Sequence, residues 1–146
     1  METVRGFFDE YRFLSNFFPC EIEYKGLIFK SSEALYMAHK SGDDADLPKF
    51  AEITKAGDAK RVGRTVTLQP NWDQIKFGVM ENVLRLKFDQ NPKLKEKLLA
   101  TGDKELVEFN TWGDKIWGVC DGVGENHLGK LLMKLRSEYQ SVVSLT

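Results

Sequence analysis

Cysteine is scarce in this sequence: Cys20 and Cys120 are the two it carries, a hundred positions apart. That count and spacing form neither a disulfide framework nor a metal-ligand pattern, so both thiols are expected to be reduced. Histidine is equally sparse, and neither His39 nor His127 has a Cys or His beside it at zinc-site spacing. No metal and no cofactor are expected. An excess of one charge is missing too, since 21 Lys plus Arg face 22 Asp plus Glu for a net charge of −1. Such a balance supplies no long-range field for a polyanion and excludes a general nucleic-acid coat protein. No stretch approaches the ~20 apolar residues of a spanning helix. No apolar run of signal-peptide length follows Met1 either, so no membrane partner and a cytoplasmic location are expected. Repeats, low-complexity tracts and linkers rich in Pro, Gly or Ser do not occur. The 146 residues, 42% of them hydrophobic, are enough to wrap one core. One domain over 1–146 is expected, with its core at about 5–140 and a frayed end at 141–146.

What is present is helical punctuation. The aromatic run FLSNFF at Phe13–Phe18, closed by Pro19, is expected to be a packed loop. Alternation at Cys20, Ile22 and Tyr24, then Leu27–Phe29, predicts a hairpin turning at Lys25 and Gly26. Ser31 and Ser32 are N-cap residues for a helix over Glu33–Lys40 that Gly42 ends. A second helix is predicted from Leu47 and Pro48 to about Lys55, closed by Gly57. Asn71 is placed to cap a long helix whose Trp72, Ile75, Val79, Val83 and Leu86 recur at helical steps, with Met80, Leu84 and Phe88 widening the stripe. Pro92–Ala100 predicts a shorter helix, Glu105–Phe109 a strand, and Asn126 onward a last helix with Leu128, Leu131, Leu132, Leu135 and Tyr139 on one side. The expected fold class is α+β, mainly helical with a small β-sheet.

Two groups of residues carry chemical potential. Glu33 and Lys40, seven apart on one predicted helix, return to nearly the same face about 10 Å apart along the axis, with Tyr36 and Met37 as an apolar floor. In such surroundings a lysine pKa falls and a carboxylic acid pKa rises unless the two pair, and both shifts suit proton transfer or nucleophilic attack. The plain alternative is that the acid and the base complement the two ends of the helix dipole. The second group is GDKIWGVCDGVGEN at Gly113–Asn126, with Asp114, Asp121, Trp117 and three further glycines. It matches no G-x-G-x-x-G or Walker pattern, and a glycine-rich turn is an equal reading. Trp72 lies on the apolar stripe and is expected in the core, whereas Trp112 interrupts a polar stretch and is expected to be exposed.

In order and spacing these blocks resemble the NADAR family, also called YbiA-like N-glycosidases. The resemblance is carried by FLSNFFP (Phe13–Pro19), SSEALYMAHK (Ser31–Lys40), Gly63-Arg64, Asn71-Trp72, VMENVLRLKFDQNPKL (Val79–Leu94), LLATGDKELVE (Leu98–Glu108), DKIWG (Asp114–Gly118) and GENHLGKLLMKLR (Gly124–Arg136). It implies a metal-independent hydrolase that cuts the bond between a phosphorylated ribose, or ADP-ribose, and a base. The substrate is then an early riboflavin-pathway intermediate or an ADP-ribosylated guanine in nucleic acid. By the same resemblance Glu33 and Lys40 are the catalytic pair. The implied substrate contacts are Asn16, Tyr36, Arg64, Trp72, Asp114, Trp117, Gly118 and Asn126: Asp114 orienting ribose or base, Trp72 and Trp117 lining the base pocket, and Arg64 with Asn126 meeting phosphate. Relatives carry His and Gln where this chain has Ala34 and Met37, which implies an altered polar contact to base or ribose. The alternative function is a non-catalytic module that binds ADP-ribose or a nucleotide, and appearance of product separates the two. The oligomeric state is left open by the sequence.

Overall fold

The computed structural model describes residues 2–145, with side chains up to residue 142. Its elements in chain order are β1 (Thr3–Arg5), β2 (Ile22–Tyr24), β3 (Leu27–Phe29), α1 (Ser32–Ala38), α2 (Leu47–Ala51), α3 (Ala56–Gly63), α4 (Trp72–Gln90), α5 (Pro92–Ala100), β4 (Glu105–Val107), β5 (Phe109–Asn110), β6 (Val119–Cys120) and α6 (His127–Leu145). Helices dominate, and the strands form three separate two-stranded ladders rather than one sheet, which gives an α+β fold. Two compact units are distinguishable, one from residues 16–92 and one from 1–15 with 93–146.

In the 16–92 unit, β2 and β3 pair antiparallel with Ile22 opposite Phe29 and Tyr24 opposite Leu27. The turn between them places both Lys25 and Gly26 at positive φ, the geometry that follows strand twist. Ser31 caps α1 by accepting a hydrogen bond from the Ala34 N–H at 3.1 Å. The predicted second helix is two helices: α2 stops at Ala51, and Gly57 lies inside the first turn of α3 instead of closing α2. Asn71 begins α4, but through left-handed backbone (φ 64°) and without a side-chain cap. The far end of α4 is clamped to β2, because Glu23 and Gln90 exchange two hydrogen bonds, at 2.7 and 2.9 Å, and Asn91 Nδ2 donates to the carbonyls of Glu21 and Lys87.

The buried face of α4 is rotated from the expected stripe. Trp72, Met80, Val83, Leu84 and Phe88 are buried, whereas Ile75 is exposed and Lys87 is completely buried. Hydropathy ranks lysine as a surface residue, yet its four methylenes pack like any apolar chain once the ammonium finds a partner.

In the other unit, β1 and β4 pair in parallel, Val4 opposite Leu106. The predicted Glu105–Phe109 strand is divided: β4 pairs with β1, and β5 pairs in parallel with β6. Phe13 and Leu14 end a short 3-10 turn and are both buried. Helix α6 packs on β4 closely enough that a side chain at Gly129 would collide with the Leu106 carbonyl, so that position is restricted to glycine. Buried Arg136 donates to Thr101 Oγ1 at 2.9 Å and ties α6 to the turn after α5. The helix continues beyond Tyr139 into the segment expected to fray, and Thr146 lies outside the described residues.

Candidate active site

Helix α1 is buried along its whole length, which is unusual for seven residues that include an acid. The cause lies on three sides. From below, Asn16 organises the first turn: its carbonyl accepts the Glu33 N–H at 3.0 Å, its Oδ1 accepts Ser32 Oγ at 2.8 Å, and its Nδ2 reaches Met80 Sδ at 3.5 Å. Beside it, α3 approaches so closely that a Cβ on Gly63 would overlap Met37 Sδ. Met37 is thereby part of the α1–α3 contact. Along α4, the Trp72 ring tilts against Tyr36 with 5.4 Å between centroids. Glu33 is 7% exposed in this setting.

Lys40 is not on the helix. α1 ends at Ala38, His39 is its C-cap, and Lys40 follows in the turn. Its backbone is held by Gln69, whose N–H donates to the Lys40 carbonyl at 2.8 Å while its side chain donates to the His39 carbonyl at 2.7 Å. Gln69 therefore satisfies carbonyls that the helix end leaves over. The Lys40 side chain is half-buried. Burial holds its pKa below the ordinary lysine value; the Glu33 carboxylate opposes that fall, and the charges of Arg64 and Lys76 add to it. Electrostatic coupling thus joins Glu33 and Lys40 although no continuous helix does.

Of the residues expected at the site, Asn16, Glu33, Tyr36, Lys40, Arg64 and Trp72 fall in the 16–92 unit, where α1 gathers them. Asp114, Trp117, Gly118 and Asn126 fall together in the other unit, in the segment around β5 and β6. There Asp114 Oδ1 accepts the N–H groups of Ile116 (3.1 Å) and Trp117 (2.9 Å), and Asn110 holds the Asp114 backbone from both sides. Trp117 is half-buried, its ring edge-on to His127 at 6.3 Å. Gly118 is buried against Glu108, whose carbonyl leaves no room for a Cβ. Asn126 is buried with both amide atoms on backbone: Oδ1 accepts the Glu108 N–H at 3.0 Å and Nδ2 donates to the Leu106 carbonyl at 2.9 Å. Asn126→Ala is expected to lower the unfolding free energy by about 2–4 kcal/mol, because it strands two buried backbone groups at once; urea denaturation measures it. Trp112 is 56% exposed.

Sequence reasoning overlooked Gln69 and Lys76. Lys76 had a signal, standing four residues after Trp72 and four before Met80 on one helical face. Gln69 had none, because a loop residue that caps a helix thirty positions away leaves no local pattern. Among the described residues, no group of three or more His, Cys, Asp or Glu is placed to hold a metal ion, and no helix is long and apolar enough to cross a membrane. Cys20 and Cys120 are free.

A buried acid coupled to a half-buried amine of lowered proton affinity is the equipment of a proton-transferring, carbonyl- or acetal-attacking enzyme. The family model described as NADAR domain matches residues 5–140, and the chain belongs to that family. It is similar to N-glycosidase YbiA of Escherichia coli (strain K12), 36% identical over 143 residues that cover 94% of this chain and 89% of that protein. The NMR structure of the E. coli YbiA protein superposes with a TM-score of 0.86 at 34% identity, covering 99% of this chain and 88% of the other. A riboflavin biosynthesis protein of Vibrio vulnificus (strain YJ016) is 39% identical over 135 residues, 90% of this chain but 36% of that protein. The chain thus spans about a third of the length of that relative.

Proposed function

We propose that this protein is an N-glycosidase that hydrolyses the bond between the anomeric carbon of a phosphorylated ribose, or of ADP-ribose, and a base nitrogen, with Glu33 and Lys40 as its catalytic residues. The observation that carries the reading is the Lys40 amine: it sits half-buried, its pKa held below the ordinary lysine value, in electrostatic contact with a buried carboxylate. The names of its relatives, N-glycosidase and riboflavin biosynthesis protein, support the same class.

Cleavage of an N-glycosidic bond passes through an oxocarbenium-like state and needs a proton for the departing base. In the proposed sequence, neutral Lys40 Nζ attacks the anomeric carbon as the carbon–nitrogen bond breaks, and the Glu33 carboxylate carries one of the two protons of the now cationic Nζ to the departing base. The sugar ring opens as the nitrogen lone pair closes to a protonated Schiff base, and the ring oxygen takes its proton from a water. The hydroxide left from that water adds to the same carbon, and transfer of the new hydroxyl proton to Nζ releases the sugar and restores both groups. Trp72 and Tyr36 offer an aromatic wall to the base. In the same reading the substrate is either a riboflavin-pathway intermediate or an ADP-ribosylated guanine.

Incubation with each substrate class under borohydride tests the scheme. A reduced ribosyl adduct is expected on Lys40 by peptide mass spectrometry, absent from Lys40→Ala. Turnover without any trapped adduct removes the covalent step, and binding without released base makes the protein a nucleotide-binding module instead.

A further inference from the structure

Helix α4 presents Trp72, Lys76 and Met80 one turn apart on a single face. The ends of this strip are pinned: Trp72 lies against Tyr36 of α1, and Met80 meets Asn16, which holds the Ser32–Glu33 turn at the start of α1. Lys76 is therefore bracketed alongside α1. Its side chain is 15% exposed, while Asp73, its ion-pair partner at 3.3 Å, is 87% exposed. The same ammonium stands 5.4 Å from the Phe77 ring centroid; that contact and an i,i+3 pair to a solvated carboxylate hold it locally, and each contributes little. From another side, Gly63 abuts Met37 and brings Arg64, the C-cap of α3, to the same helix. Lys40 lies at its end. Three cations from three elements thus surround α1, and Glu33 is the carboxylate coupled to Lys40 among them.

We infer that Lys76 is a phosphate-binding residue of this site, its ammonium and the Arg64 guanidinium together receiving a phosphate group of the ribosyl substrate beside Lys40. Lys40, Arg64 and Lys76 against Glu33 and the solvated Asp73 leave a surplus of positive charge that a phosphate group complements. Arginine contributes a planar two-pronged donor, and lysine a compact point charge, the combination that phosphate oxygens accept. With phosphate in place, Arg64 and Lys76 no longer repel the Lys40 proton. Burial, the larger cause of its lowered pKa, persists. The inference rests on the N-glycosidase reading for the identity of the substrate, but not for the binding of the anion.

Calorimetric titration with inorganic pyrophosphate separates the two. Wild-type protein is expected to bind it, and Lys76→Met to weaken binding by about 10- to 100-fold, the loss expected for one charge-assisted hydrogen bond. Lys76→Arg is expected to stay within about threefold of wild type because it keeps the charge. Lys130→Met, at an exposed position of α6, makes the same change in net charge and is expected to leave affinity unchanged, since a solvated charge is screened. A thermal melt of each variant guards against unfolding; should Lys76→Met fail to fold, Lys76→Gln replaces it. With substrate, Lys76→Met is expected to raise KM for the phosphorylated ribosyl–base by a similar factor and KM for the unphosphorylated nucleoside by less than about threefold, with the pH profile on both moved toward higher pH because one charge that repels the Lys40 proton is gone. Equal pyrophosphate affinity in wild type and folded Lys76→Met, or an equal KM increase on the unphosphorylated nucleoside, overturns the inference. Pyrophosphate binding that depends on Lys76 in a protein that cleaves neither substrate class sinks the glycosidase reading and leaves the anion site standing.

Discussion

Replacing Lys40 with alanine is expected to lower kcat/KM on the order of 10⁴-fold or more on any ribosyl–base substrate, since removal of a nucleophile costs the whole pathway it opens. Folding should survive, because the Lys40 side chain is half-buried and the contacts that pin this turn run through its backbone to Gln69. The attacking form is the neutral amine, so the rate rises with pH through the Lys40 pKa. Burial holds that pKa below the ordinary value of 10.5, and the rise is expected to be centred below the pH at which an ordinary lysine titrates. Arg64→Met removes a repelling charge and should move the rise toward higher pH; Glu33→Gln removes the charge that favours the ammonium and should move it lower while cutting kcat. Steady-state pH profiles of the three variants read this directly. A Lys40→Ala protein that keeps a tenth of wild-type activity or more would leave Lys40 as a binding cation at most.

The second large effect is on stability, at Lys87. This lysine is fully buried on α4, its ammonium 5.3 Å from the Phe88 ring centroid, and burial pulls its pKa from 10.5 to about 8, with the nearby Cys20 thiol opposing the fall. In the unfolded chain the amine keeps its proton up to about pH 10.5. Between about 8 and 10.5 the unfolded state therefore holds more protons, and unfolding free energy must rise with pH across that window, by about 3 kcal/mol. Below pH 8 both states are protonated and the cost of the buried charge is constant. Lys87→Met, which keeps the shape of the stem, is expected to be more stable than wild type at pH 7 by up to about 3 kcal/mol, an advantage that fades through the same window. Guanidinium unfolding from pH 7 to 11 measures it. Cys20 is changed to alanine in both proteins, since its thiol, raised by burial, titrates nearby. A difference curve that stays flat from pH 8 to 10.5 would mean that Lys87 carries no burial penalty.

Why a charged residue occupies that position bears on what the sequence made legible. The hairpin turn at Lys25-Gly26, the Ser31 cap, the start of α4 at Trp72, the α5 segment and the beginning of α6 were readable because each is set by neighbours within four residues: a cap, a turn pair, a proline at a first turn. The α4 stripe was readable in period but not in phase. Lys76 and Lys87 occupy the buried face, and a scale that counts them as polar rotates the face toward Ile75. The division of α2 from α3 was missed because Gly57 is compatible with a helix stop, whereas packing of α3 on α1 keeps it in a first turn. Strand β1 and the separation of β4 from β5 depend on parallel partners about a hundred and about ten residues distant, and no local pattern encodes a distant edge.

Sequence alone determined the family, the helical α+β class and the presence of Glu33 and Lys40 at a fixed spacing, because motif order and local capping survive without knowledge of packing. Tertiary structure decided the rest. It ended α1 at Ala38 and set Lys40 in a turn held by Gln69, it brought Arg64 and Lys76 to the same helix, and it buried Lys87, which the apolar stripe did not include. The reason is common to all three: a side chain's proton affinity depends on what surrounds it in space, and burial and neighbouring charge arise only after segments far apart in the chain have met.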